Sequence, residues 1–254
     1  MGVYTYDGTP LTVETGSVMD GTRVTNTFRK INHRGYRGGG AYENTLPAFE
    51  GSLAQGFSMV ESDIMYTSDG IAVLSHDNQV AFNQGTAKIS DLTYANLLNY
   101  TVGSGNFETT LMTLEDFVVW CKLHEIHPYL EHKVATTQDR VRSNVAIVRQ
   151  AGMLRNVSWI GRNVADVVAE DEGARVGTWQ FDPLTNLDAF LALKTGKNEV
   201  FCDYNYSLIT QELCEVCLNN GIAVEAWTTG DVTTLRNLAK IGVSGATADG
   251  MFNF

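Results

Sequence analysis

The chain has 254 residues and carries 29 acidic against 18 basic side chains, a formal charge of −11. An acidic field of that size repels polyanions, so nucleic acid is excluded as a natural partner. Hydrophobic content of 44% with 19% charged residues describes a globular chain of single-barrel size, and no stretch reaches the ~18 apolar residues of a transmembrane helix.

Residues 1–27 are rich in Thr and Gly and poor in apolar periodicity, and read as an N-terminal arm or linker. No basic flank or apolar run marks a signal peptide, so a cytoplasmic location is the default expectation, with a module of a larger or secreted protein as the alternative. From about Phe28 onward, strand patterns alternate with amphipathic helical patterns, which predicts parallel strands joined by crossover helices. Strand candidates fall at 28–33, 58–65, 71–76, 128–133, 157–161, 175–180, 199–203, 222–228 and 245–248. Thr45, Thr113, Thr137, Asn163, Asn186, Thr210 and Asp231 each precede a helical run and are expected as caps.

Nine strands are one too many for an eight-stranded barrel. The second and third are separated only by Tyr66–Gly70, with Asp69-Gly70 as a hairpin signal, while parallel neighbours need a longer crossover. The segment 71–76 is therefore predicted to return antiparallel to the second strand, which leaves eight parallel strands for a (β/α)8 TIM barrel. Residues 77–111 are polar, with one short helical run near Leu92–Leu98, and are expected to form an insertion over the barrel mouth. The last strand candidate lies close to the end of the sequence, so the arm at 1–27 is expected to cover the flank where an eighth helix would pack. Cys121, Cys202, Cys214 and Cys217 are expected as reduced helix and core residues, because the Cys214–Cys217 pair lacks a second pair to complete a zinc site.

Chemistry concentrates at strand ends. Alternation along Met59–Met65 puts Glu61 and Asp63 on one face, and along Pro128–Lys133 it puts Glu131 and Lys133 on one face. Carboxylates aimed into a barrel are costly unless paired or bound to a cation. Three of them converging would form an all-oxygen site for a hard divalent cation, Ca2+ or Mg2+. An exposed strand face, and a simple Glu131–Lys133 pair, are the alternatives. His33 ends the first strand and His76 the return strand, so an imidazole pair could supply one base and one acid. Arg34 has the fork geometry for phosphate, and Lys133 adds a point charge. His124, His127 and His132 read as structural.

In chain order, His33-Arg34-Gly35, Glu43-Asn44-Thr45, Glu61-x-Asp63, Asp69-Gly70, His76-Asp77, Leu111–Asp116, Leu130–Lys133, Ala226-Trp227-Thr228, Gly242–Gly245 and Thr247-Ala248-Asp249 resemble the signature of the glycerophosphodiester phosphodiesterase family. The likeness covers roughly 28–254. The chain departs from the pattern in lacking a proline before Glu43, and in His132 between Glu131 and Lys133. The resemblance implies a barrel of the phospholipase-C-like phosphodiesterase type. It implies metal-dependent hydrolysis of a small-molecule phosphodiester to glycerol 3-phosphate and an alcohol, with one Ca2+ or Mg2+ on Glu61, Asp63 and Glu131. It also implies His33 and His76 as the acid–base pair, Arg34 and Lys133 on phosphate, Trp227 in the substrate groove, and Glu43 and Asn44 in support. A larger polyol-phosphate or lipid-headgroup substrate such as teichoic acid, and a non-catalytic binding barrel, stand as rival readings.

Overall fold

The computed structural model describes residues 28–250. Its elements run β1 (Arg29–Asn32), α1 (Leu46–Ala54), β2 (Met59–Tyr66), β3 (Ala72–Leu74), β4 (Gln79–Phe82), β5 (Gly85–Lys88), α2 (Tyr94–Leu97), α3 (Leu114–Leu123), β6 (His127–His132), α4 (Gln138–Gln150) and β7 (Ser158–Gly161). They continue with α5 (Val164–Glu170), β8 (Arg175–Thr178), α6 (Leu187–Leu191), β9 (Val200–Asn205), α7 (Gln211–Asn219), β10 (Ala223–Trp227), α8 (Val232–Lys240) and β11 (Gly245–Ala248). Eight parallel strands follow the cyclic order β1, β2, β6, β7, β8, β9, β10, β11, and the ring closes because β1 pairs with both β11 and β2. The expected arm at 1–27, and the flank it was to cover, lie outside the described residues.

The return strand is present. β3 runs antiparallel to β2, pairing Ile64 with Leu74 and Tyr66 with Ala72. The turn between them is held by Gly70 at φ 86°, a conformation glycine adopts without the Cβ penalty. Asp69 accepts there from the Thr67 hydroxyl at 2.6 Å and from Tyr94 N at 3.0 Å, which ties the turn to the start of α2. One residue past β3, Ser75 N donates to Asp63 O at 3.0 Å, so the antiparallel run carries the chain back to the rim of the barrel.

Strand alternation sorts the barrel into two apolar layers. Val60, Ile64, Leu130, Trp159, Val176 and Val224 face outward and pack with Phe49, Phe117, Val141 and Val145 of the helices. Ile31, Tyr129, Ile160 and Phe201 meet inside and plug the lumen. Burying each such side chain stabilises the fold by roughly 1.5–3 kcal/mol.

Below the plug lies a buried ionic network that the sequence analysis did not foresee. Arg175 donates to Glu225 at 2.7 Å, Glu199 at 2.8 Å, Ser158 at 2.8 Å and the Tyr129 hydroxyl at 3.2 Å. His127 lies beside it, with Nε2 2.8 Å from the Ser158 hydroxyl. Burial, with Arg175 and Arg29 adding to it, pushes the His127 imidazole down to about 3.

Two expectations need correction. Thr45 precedes α1 but does not cap it; its hydroxyl turns back to donate to Tyr42 O at 2.5 Å. Asn163 and Asn186 also lack the capping bond, whereas Thr113, Thr137, Thr210 and Asp231 each accept from the N–H three residues on. The segment 77–111 holds more than one short helix. It contains the hairpin β4–β5, and Val80, Phe82, Ile89 and Leu97 form a small core with Met65 and Val73. Alternation in Gln79–Phe82 spans only four residues, too few to stand out as a strand by periodicity. All four cysteines are free and buried. No helix among the described residues is long and apolar enough to cross a membrane.

Candidate active site

The inner face of β2 carries Glu61 and Asp63, both buried, while Val60, Ser62 and Ile64 face outward. β6 pairs with β2 in a register that sets Glu131 directly beside Asp63. One carboxylate oxygen each from Glu61, Asp63 and Glu131 lies within 4.8 Å of the others. Strand alternation predicts this convergence, and the β2–β6 register is what produces it.

The loop between β1 and α1 organises the cluster. Asn44 donates from Nδ2 to Asp63 Oδ2 at 3.0 Å, and its Oδ1 accepts from the Ser62 hydroxyl at 2.7 Å and from Asp63 N at 3.3 Å. Arg34 donates its backbone N–H to Glu61 Oε2 at 3.2 Å, and its Nε sits 3.2 Å from Asp63 Oδ2. Arg34 and Asn44 both hold left-handed backbone, at φ 55° and 58°. That conformation is uncommon outside glycine and points to a constrained functional loop. Gly35 follows at φ 81°, and a Cβ there would lie 2.8 Å from the Ala48 backbone carbon, so the turn is pressed onto α1. Glu43 accepts from Arg34 at 3.1 Å and from Arg37 at 3.2 Å.

Two cations share the cluster. Lys133 Nζ lies 3.0 Å from Glu131 Oε2 and 3.5 Å from Asp63 Oδ1. Burial raises the Glu61 carboxyl well above the usual carboxylate range, and the Asp63 and Glu131 charges add to that. Burial and Asp63 also raise Glu131. Burial works in the same direction on Asp63, but Lys133, Arg34 and the Asn44 hydrogen bond outweigh it and hold Asp63 low. The cluster is thus short of positive charge. Glu61 Oε1 and Asp63 Oδ1 are buried with no hydrogen-bond partner among the described residues. Buried oxygens left unpaired are expensive, and a divalent cation on this all-oxygen set would satisfy them. The residues therefore fit a hard cation.

Both expected histidines border the cluster. His33 follows β1, its N–H bonded to Ala248 O, and its Nδ1 lies 2.7 Å from Asp249 Oδ1. His76 follows Ser75, and its Nδ1 lies 3.0 Å from Asp77 Oδ1. A carboxylate accepts only, so Nδ1 carries a proton in each ring and Nε2 is the nitrogen left for proton transfer. Burial lowers His33, with the Asp249 hydrogen bond opposing it. Trp227 stands at the end of β10, its indole donating to Asp203 O at 3.1 Å.

Four neighbours escaped the sequence analysis as site residues. Trp179 donates to Glu131 Oε1 at 3.2 Å, and Arg162 lies over its ring at 5.1 Å. Asp249 also takes Arg37 Nη2 at 2.8 Å, which links the histidine loop to the end of β11. Asp203 lies on the inner face of β9, its carboxyl pushed well up by burial and by Glu225 and Glu131. Parity along each strand could have placed Trp179, Asp203 and Asp249 on the lumen side; nothing in the local sequence marks Arg37.

Against known proteins, residues 33–251 match the sequence model of the Glycerophosphoryl diester phosphodiesterase family. The chain belongs to this family. Human Glycerophosphodiester phosphodiesterase 1 is 34% identical over 113 residues, a stretch covering 41% of this chain and 34% of the human protein. The rat protein of the same name is 31% identical over the same length and covers the same shares. The chain thus matches about a third of the length of these relatives. Among solved structures, a glycerophosphodiester phosphodiesterase from Parabacteroides distasonis superposes with a TM-score of 0.70 at 21% identity, covering 88% of this chain and 93% of that one. A phosphodiesterase from Oleispira antarctica, solved in complex with the product sn-glycerol-3-phosphate, gives 0.71 at 20% identity, covering 87% and 92%. At these identities the solved structures speak to the fold, and they share the barrel.

Proposed function

We propose that this chain hydrolyses glycerophosphodiesters to glycerol 3-phosphate and an alcohol. The observation that carries the reading is the convergence of Glu61, Asp63 and Glu131, two of their oxygens without a hydrogen bond, near two histidines that each hold Nδ1 on a carboxylate. The family match and the Oleispira antarctica relative's product complex support the substrate class. Glu61, Asp63 and Glu131 would hold one Ca2+ or Mg2+. When bound, that ion neutralises charge on the non-bridging phosphoryl oxygens.

Arg34 and Lys133 stand beside the same carboxylates and offer N–H groups to the phosphate. One imidazole takes the proton of the nucleophile as its oxygen bonds to phosphorus. The other, holding a second proton on Nε2 as imidazolium, delivers it to the alcohol oxygen as its bond to phosphorus breaks, so protons balance across the pair. Glu43 and Asn44 act through their partners, Glu43 by steadying Arg34 and Asn44 by locking Asp63. Trp227 lines the groove for the organic part of the substrate. The nucleophile is water or the neighbouring glycerol hydroxyl, and release of a cyclic phosphate separates the two routes.

The test is hydrolysis of glycerophosphocholine and of a poly(glycerol phosphate) teichoic acid, each with chelator and with Ca2+ or Mg2+ restored. Cation-dependent release of glycerol 3-phosphate from the small diester is expected. Exclusive cleavage of the polymer would move the substrate to the larger class. Binding without turnover of either would make the barrel a non-catalytic receptor.

A further inference from the structure

Asp203 is a carboxyl without a job in the scheme above. Its strand neighbour on the same face, Phe201, belongs to the lumen plug, so Asp203 stands one step nearer the mouth. It is only 5% exposed. Every other acidic group of the lumen has a donor: Arg34 N for Glu61, Asn44 for Asp63, Lys133 and Trp179 for Glu131, and Arg175 for Glu225. The Asp203 carboxyl has neither a hydrogen bond nor an ion pair among the described residues. It is also outside the convergent oxygen set of Glu61, Asp63 and Glu131.

Position in the barrel says what it could meet. β9 is four strands from β2 in either direction round the ring, so Asp203 faces the carboxylate cluster across the lumen. Trp227 hydrogen-bonds the Asp203 carbonyl from one neighbouring strand, and Trp179 follows β8 on the other side. A carboxyl on the lumen wall without protein donors is open to O–H groups, while indole rings supply apolar surface for the carbon chain between them. We infer that Asp203 is a specificity residue that accepts hydrogen bonds from the hydroxyls of the substrate's polyol part. This rests on the phosphodiesterase reading above, and it assigns the side of the lumen on which the glycerol lies.

The experiment compares binding of glycerol 3-phosphate and n-propyl phosphate, which differ only by the two hydroxyls, by calorimetry in saturating Mg2+ or Ca2+. The wild-type chain should prefer glycerol 3-phosphate by about 5- to 100-fold, the net worth of two ordinary hydrogen bonds. Asp203→Leu should bind the two alike, and Asp203→Asn should keep part of the preference. If Asp203→Leu does not unfold cooperatively on heating, Asp203→Ala carries the same comparison. A preference that survives Asp203→Leu or Asp203→Ala, no preference in the wild type, or no binding of either ligand overturns the assignment. Hydrolysis of glycerophosphocholine is measured on the same samples. A wild-type chain that keeps the hydroxyl preference but hydrolyses no diester would sink the phosphodiesterase reading and leave the hydroxyl subsite standing.

Discussion

Replacing His132 with leucine should make the protein more acid-tolerant. His132 is buried on the outer face of β6, its ring stacked on Trp159 with centroids 5.4 Å apart. Asn144 Nδ2 lies 3.1 Å from His132 Nε2 and 2.7 Å from the Tyr66 hydroxyl. An amide nitrogen donates, so Nε2 accepts and the proton sits on Nδ1, which is buried with no partner. Burial pushes the imidazole down to about 4. In the unfolded chain it titrates near 6.5. Below that value the unfolded state takes up a proton that the folded state refuses, so stability contributed by the neutral ring is full above pH 6.5 and is lost as pH falls toward 4. Between pH 7.5 and 5.0 the loss is about 2 kcal/mol, at ~1.4 kcal/mol per unit.

At pH 7.5, His132→Leu should sit within about 1 kcal/mol of wild type, because losing one hydrogen bond is offset by removing an unsatisfied N–H. At pH 5.0 the variant should gain about 2 kcal/mol relative to wild type, or about 4–8 °C in Tm at this chain length. Urea titrations of both proteins at both pH values read the difference directly, and groups common to both cancel. Parallel stability curves across that range would refute a buried neutral His132.

Four further outcomes are expected. His33→Ala and His76→Ala should each lower kcat for glycerophosphocholine by about 10²–10⁴, with Tm little changed; full activity in both would remove the imidazoles from the chemistry. Ca2+ or Mg2+ at 100 times its Kd should stabilise the chain by about 2.7 kcal/mol in thermal unfolding, and Glu61→Gln should abolish most of that gain. Because Glu61 and Glu131 hold their protons above the usual range, cation affinity should rise with pH through the mildly acidic region, and a pH-independent affinity would contradict the shared site. Arg175→Met should cost up to about 3–5 kcal/mol in urea unfolding, since buried Glu225 would keep only Arg29, 3.6 Å away, and the Tyr129 hydroxyl at 3.3 Å; a loss below 1 kcal/mol would mean that the network is solvated.

Much of this protein is legible in its order of residues, because the signals involved are local. Alternation in Met59–Met65 and Pro128–Lys133 names the inward carboxylates, helical spacing separates the crossovers, and Asp69-Gly70 within a short link forces β3 to turn back. Whether those carboxylates meet is another matter. Glu131 stands beside Asp63 only because β6 pairs with β2 in one register, and a slip of one residue would have turned Glu131 toward the helices. Asp249 reaches His33 across 216 positions of sequence because closure of the barrel brings β11 against β1. Asp203, Trp179 and Arg175 are likewise ordinary letters until the ring puts them on the lumen wall, where burial removes their water and makes each one depend on the partner it finds or lacks.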